Sequence, residues 1–124
     1  MKYKKDLALL KKQLHKEWRK NLKKSEVKLP KEGQRLNGIL CLYENLGKPL
    51  TQDQISEWFY KRNLPRYDRQ IRHIADDGWY IVGGNSRNTR YIHDKSLKRD
   101  QILLKSVQEP NPKWVSGNTK RKLT

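Results

Sequence analysis

The feature that most constrains this chain is a change of apolar period around Gly78. Before it, Ile71, Ile74 and Ala75 recur at helical spacing. After it, Trp79 to Val82 forms a short β-prone run, the loop GGNSRN follows at 83–88, and a second β-prone run covers about 89–92. Glycine just past a helical pattern is a stop signal. Two such runs around a Gly- and Asn-rich loop read as a hairpin with a long tip. A fold that contains this stretch must join helices to a very small sheet.

The residues upstream supply the helices. Leu36, Ile39, Leu40 and Tyr43 share one face of a helix predicted from about Gln34 to Leu46, with Gly47 as its C-terminal stop. Thr51 and Gln54 have capping-box spacing, and Leu50 and Ile55 stand where a hydrophobic staple would place them. The spacing predicts a helix from Gln52 to about Lys61 that buries Ile55, Trp58 and Phe59. Asn63, Leu64 and Pro65 make a turn, and proline is suited to open the next helix, from Arg66 to Asp77. Residues 96–107 read as a last helix, with a strand as the alternative. The expected class is therefore mainly α with a small β-hairpin, in the order helix, short helix, turn, helix, hairpin of a winged helix-turn-helix.

That unit occupies 32–108. A basic amphipathic helix precedes it within 1–31, where Leu7, Leu10, Leu14, Trp18 and Leu22 form a narrow stripe. Pro30 ends that segment. Residues 109–124 have the composition of a linker-like basic tail, with Lys120, Arg121 and Lys122 near its end.

Charge points to the partner. The 124 residues hold 29 Lys plus Arg against 13 Asp plus Glu, a formal net charge of +16. Twelve of those cations and only three acids lie at or before Lys31. A balance of this kind favours a polyanion, with nucleic acid ahead of an anionic membrane surface. With hydrophobic residues at 34% the core must be small, but four Trp and six Tyr supply anchors that disordered chains usually lack.

In a winged helix the third helix enters the major groove. Arg66, Arg69, Gln70 and His73 face away from Ile71, Ile74 and Ala75. Arginine matches guanine O6 and N7, and glutamine matches adenine N6 and N7, so these four are the expected base readers. Lys61, Arg62 and Tyr67 are expected at phosphates, with Arg72 at a phosphate or paired to Asp76. In the wing, Asn85, Ser86, Arg87, Asn88 and Arg90 offer donors to the backbone, and Gly83 and Gly84 suit a tight or left-handed turn. On the first helix Lys16, Arg19, Lys20 and Lys23 are candidates for non-specific contact. Its stripe is expected to pack on the domain, although basic amphipathic helices also serve membrane surfaces and calmodulin-type partners.

Enzymatic chemistry finds little support in the residues. His15, His73 and His93 lie on separate elements, and the lone Cys41 sits in an apolar run that suits a buried thiol. No zinc spacing, phosphate-binding glycine loop or nucleophile motif is present. The expectation is a reader of double-stranded DNA that needs no metal or cofactor and is not itself an enzyme. No apolar run is long enough for a membrane span, and the usage of cysteine suits a cytoplasmic compartment.

The stretch RQIRHIADDGWYIVGG resembles the winged-helix modules attached to restriction endonucleases, especially N-terminal modules that precede an HNH nuclease domain. Those modules carry a recognition helix of the type R-x-I-R-x-L that ends in acid-Gly-Trp and enters the first wing strand. Arg69, Ile71, Arg72, Ile74, Asp77, Gly78 and Trp79 carry that pattern here, and the likeness spans about residues 33–93. It implies a DNA-recognition module, with the tail from Glu109 as the place where a nuclease domain would begin in a longer parent. It also raises sensing of methylated bases, for which Tyr67 or Trp79 would be the contact, with core packing the stronger role for Trp79. A transcriptional regulator with the same fold and an RNA- or ribosome-associated basic protein are the competing readings.

Overall fold

The computed structural model describes residues 2–65, 73–87 and 90–114, with side chains from Asp6 onward. In chain order its elements are α1 (Lys2–Asn21), a 3-10 turn (Lys23–Ser25), α2 (Gln34–Glu44), β1 (Leu50–Thr51), α3 (Gln52–Lys61), α4 (His73–Asp76), β2 (Tyr80–Gly83), β3 (Ile92–His93) and β4 (Gln101–Ser106). The chain is mainly helical, with one small four-stranded mixed sheet in the order β1-β4-β2-β3.

The local signals around α3 act as their spacing predicts. The Thr51 hydroxyl accepts from the Gln54 amide at 3.2 Å, and the Gln54 side chain accepts from the Thr51 amide at 2.8 Å. Leu50 and Ile55 are both buried, as a staple requires, and Trp58 and Phe59 join them inside. At the end of α2 the stop differs in detail. Asn45 returns its side-chain amide to the Cys41 carbonyl at 2.9 Å, and Gly47 then donates its N–H to the Leu104 carbonyl at 3.0 Å.

The first helix stops well short of Pro30. It ends at Asn21 and passes through the 3-10 turn, where Glu26 takes a left-handed conformation. Its stripe packs inward, with Leu10, Leu14 and Leu22 in one core with Ile39, Phe59, Trp79 and Leu104. Cys41 lies fully buried in the same core, and burial pushes its thiol up to about 12. It is an inert small hydrophobe at neutral pH.

The sheet departs from the predicted hairpin. β3 pairs with β2 in parallel through Val82↔Ile92 and Gly83↔His93. The antiparallel partner of β2 is β4, which also pairs with β1 on its other edge. Residues 101–106 are thus a central strand, where a helix over 96–107 was the leading expectation. Leu103 and Leu104 point to opposite faces and both are buried, as are Ile81 and Val82 on β2. A strand covered on both faces is a continuous apolar run, which periodicity does not separate from a buried helix.

The segment past Glu109 has linker composition but begins on the domain. The Asn111 amide donates to the Gly78 carbonyl at 2.9 Å, and the Trp114 indole Nε1 donates to the Ser25 carbonyl at 2.8 Å. Gly78 has φ +108°, and a Cβ there would come within 2.9 Å of Val27 and 3.0 Å of the Trp114 ring. Only glycine fits both that backbone conformation and that space.

Candidate nucleic-acid interface

Of the expected base readers, His73 lies within the described residues, at the start of α4. Arg66, Tyr67, Arg69, Gln70 and Arg72 lie outside them, as does Asn88 in the wing. On α4 the inward pair is the expected one: Ile74 and Ala75 are buried. His73 is partly exposed, and its Nδ1 stands 3.5 Å from Asp76 Oδ2.

That same Asp76 oxygen accepts from Arg90 Nε at 3.0 Å. The carboxylate therefore ties the end of α4 to the strand-side base of the wing. Asp77 turns inward instead. It is buried, with Arg35 Nη1 3.4 Å from its Oδ2, and its carboxyl is raised mainly by burial, with the Arg35 charge opposing. Trp79 is buried and its Nε1 donates to the Lys28 carbonyl at 2.8 Å. It is a core residue and has no face for a base or a methyl group.

The two cations at the end of α3 diverge. Lys61 is exposed and stands 3.2 Å from Glu57, one helical turn back. Arg62 folds onto the domain. Its guanidinium lies 4.1 Å over the Trp58 ring, donates to the Trp58 carbonyl at 3.1 Å and to Glu44 at 3.0 Å, and its side chain is only 11% exposed. The same Glu44 oxygen accepts from Trp58 Nε1 at 3.0 Å. Arg62 was expected at a phosphate; its placement is that of a structural cation joining α2 to α3.

The wing is longer than its predicted tip. From β2 to β4 the chain makes two lobes, separated by β3. In the first, Asn85 Oδ1 accepts from the Arg87 amide at 3.0 Å, an Asx turn that leaves Ser86 and Arg87 exposed. In the second, Asp94 accepts from the Ser96 amide and hydroxyl at 2.9 and 2.6 Å, which holds its carboxyl below the usual range. The Lys98 amide then donates to the Gln101 side chain at 2.9 Å.

Neither Gly83 nor Gly84 has a positive φ, so the expected left-handed turn is not their role. A Cβ on Gly84 would lie 2.0 Å from the Lys98 carbonyl oxygen. Gly84 is needed because the two lobes touch backbone to backbone there. The second lobe exposes Lys95, Lys98 and Arg99, the last two of which the helical reading of 96–107 concealed. The Asp-x-Ser spacing at 94–96, a turn signature, was the signal that would have found them.

On α1, Lys16, Arg19 and Lys20 are exposed, as is Lys23 in the 3-10 turn that follows. At about 100° per residue the three helical cations share a sector of roughly 100° opposite the buried leucines. Lys23 Nζ also lies 6.0 Å from the Trp18 ring. Among the described residues there is no group of three His, Cys, Asp or Glu placed to hold a metal, and no helix long and apolar enough to cross a membrane.

Comparison of the chain with protein-family models, with curated proteins and with solved structures finds no match.

Proposed function

We propose that this protein binds double-stranded DNA as a winged helix-turn-helix module. The observation that carries the reading is the order of elements around the sheet. α2 is followed by β1, α3, the segment that ends in α4, and then β2, the two-residue β3 and β4, with β4 lying antiparallel between β1 and β2 and β3 parallel on the outer edge of β2. That order supports a winged-helix reading, in which a third helix stands beside a wing. The net charge of +16 supplies the electrostatic term that DNA affinity requires.

In this reading Arg66, Arg69, Gln70 and His73 face base edges. Arg87 of the first lobe and Lys95, Lys98 and Arg99 of the second hold phosphates, together with Lys61 and the α1 cations. Asp76 joins the end of α4 to the wing through Arg90. A role as the recognition module of a restriction endonuclease is the narrower form of the proposal, and the motif from Arg69 to Trp79 supports it.

The test is selection of preferred sites from random duplexes, with and without methylation, followed by Arg69→Ala. That variant should lose about 1 to 3 kcal/mol on the preferred site and have its sequence preference flattened. Equal weakening on every sequence would move Arg69 to the backbone. No enrichment of any site would remove specific recognition from the proposal.

A further inference from the structure

A groove of about 330 Å³ lies between α1, the 29–31 turn and the start of α2, away from the α4 and wing residues described above. Trp18 and Leu29 are half-buried in its wall, and Leu36 is buried beneath. The indole is fixed in place, since its Nε1 donates to the Val27 carbonyl at 2.8 Å. The His15 ring stands 5.6 Å away at an inclination of 50° and adds a second aromatic surface. Lys11 and Lys31 line the same groove and are exposed, so their ammonium groups have water and the groove mouth within reach. None of the described residues lining it is acidic.

Three properties define what such a site takes. The volume is at the low end of small-molecule sites, which run from roughly 300 to 1,000 Å³. It suits a body of one or two rings. A preordered indole and aliphatic walls favour a flat apolar body, because they lose little conformational freedom on contact. Two cations with no lining carboxylate favour a negative head group and disfavour a positive one. The groove is not a continuation of the phosphate-facing α1 sector: Lys16 and Lys20 do not line it.

We propose that this groove binds a small amphipathic organic anion, with its flat apolar body against Trp18 and Leu29 and its anionic group at Lys11 and Lys31. The inference does not depend on DNA binding.

The matched probes are 2-naphthoate, 2-naphthylmethanol and 2-naphthylmethylammonium, which keep the ring system and change only the charge. Each is titrated into the full chain, without DNA, while the indole N–H signals are followed by NMR. The expected result is a saturable shift of the Trp18 indole, with the anion binding at least about tenfold more tightly than the cation. Lys11→Glu with Lys31→Glu should abolish that preference. Lys16→Glu with Lys20→Glu, the same charge change elsewhere on α1, should leave it intact. All four lysines are exposed, so folded spectra are expected for both variants. The proposal is overturned if no probe shifts Trp18 saturably, if the three probes bind alike, or if the two double variants lose anion preference equally.

Discussion

On α1, Lys16, Arg19 and Lys20 stand on one side of a long helix, with Lys23 in the turn just past its end, and among the described residues none of the four forms an ion pair. Around α3, α4 and the wing, Arg62 and Arg90 are held by carboxylates, from Glu44 and Asp76, while Lys61 makes only an exposed pair with Glu57 one turn back. The same residue types thus serve two ends. A paired cation sets the position of an element, and its charge is largely neutralised locally. An unpaired cation on a rigid helix stays available to phosphates, where it acts through counterion release. Net charge alone does not distinguish the two; burial and partners do.

The largest effect tests whether α1 is part of the domain or a charged appendage. Leu14 is completely buried, so Leu14→Ala should lower unfolding free energy by about 2 to 5 kcal/mol in urea titrations. A change near zero would make α1 a separable arm and remove the rigid support assumed for its cations.

Next in size is the contrast between neighbouring cations. Arg62→Ala removes a guanidinium from Trp58 and Glu44 and should cost about 1 to 3 kcal/mol, discounted because the Glu44 side chain is 37% exposed. Lys61→Ala removes an exposed pair one turn apart and should cost no more than about 0.5 kcal/mol. Equal costs would erase the distinction between structural and available charge.

A smaller effect concerns pH. Burial raises the Asp77 carboxyl above its ordinary value of 3.8. As pH rises, the unfolded chain releases this proton first. The stabilisation from the protonated form is therefore complete below 3.8 and is lost as pH climbs through the raised folded value. Asp77→Asn should flatten stability across that window, as measured by urea midpoints on either side of it. A wild-type midpoint that rises through the same window more steeply than the variant's would reverse the sign.

How far the sequence reveals the fold follows the range of each interaction. The α2 and α3 helices are legible because their signals are local: a capping box over four residues, a staple over six, and apolar faces at helical spacing. β4 is obscure because Leu103 and Leu104 are buried on opposite faces by neighbours that are distant in sequence. The outward residues of α1 can be read from angle alone, whereas the direction of Arg62 depends on Glu44, 18 positions away. Similarly, Asp76 resembles a misplaced helix-end acid until Arg90, 14 positions on, is seen to meet it. Gly84 shows the same limit, since the Lys98 carbonyl that demands it belongs to the other lobe.

The measurement that bears most directly on the central claim is the salt dependence of duplex DNA binding by the full chain. If about 6 to 8 phosphates are neutralised, log affinity against log salt should fall with a slope of about −5 to −7. Replacing Lys16, Arg19, Lys20 and Lys23 with glutamine should make that slope shallower by about 3 to 4 while leaving the urea midpoint unchanged. Duplex binding that is insensitive to salt, or a clear preference for structured RNA over the duplex, would contradict the account.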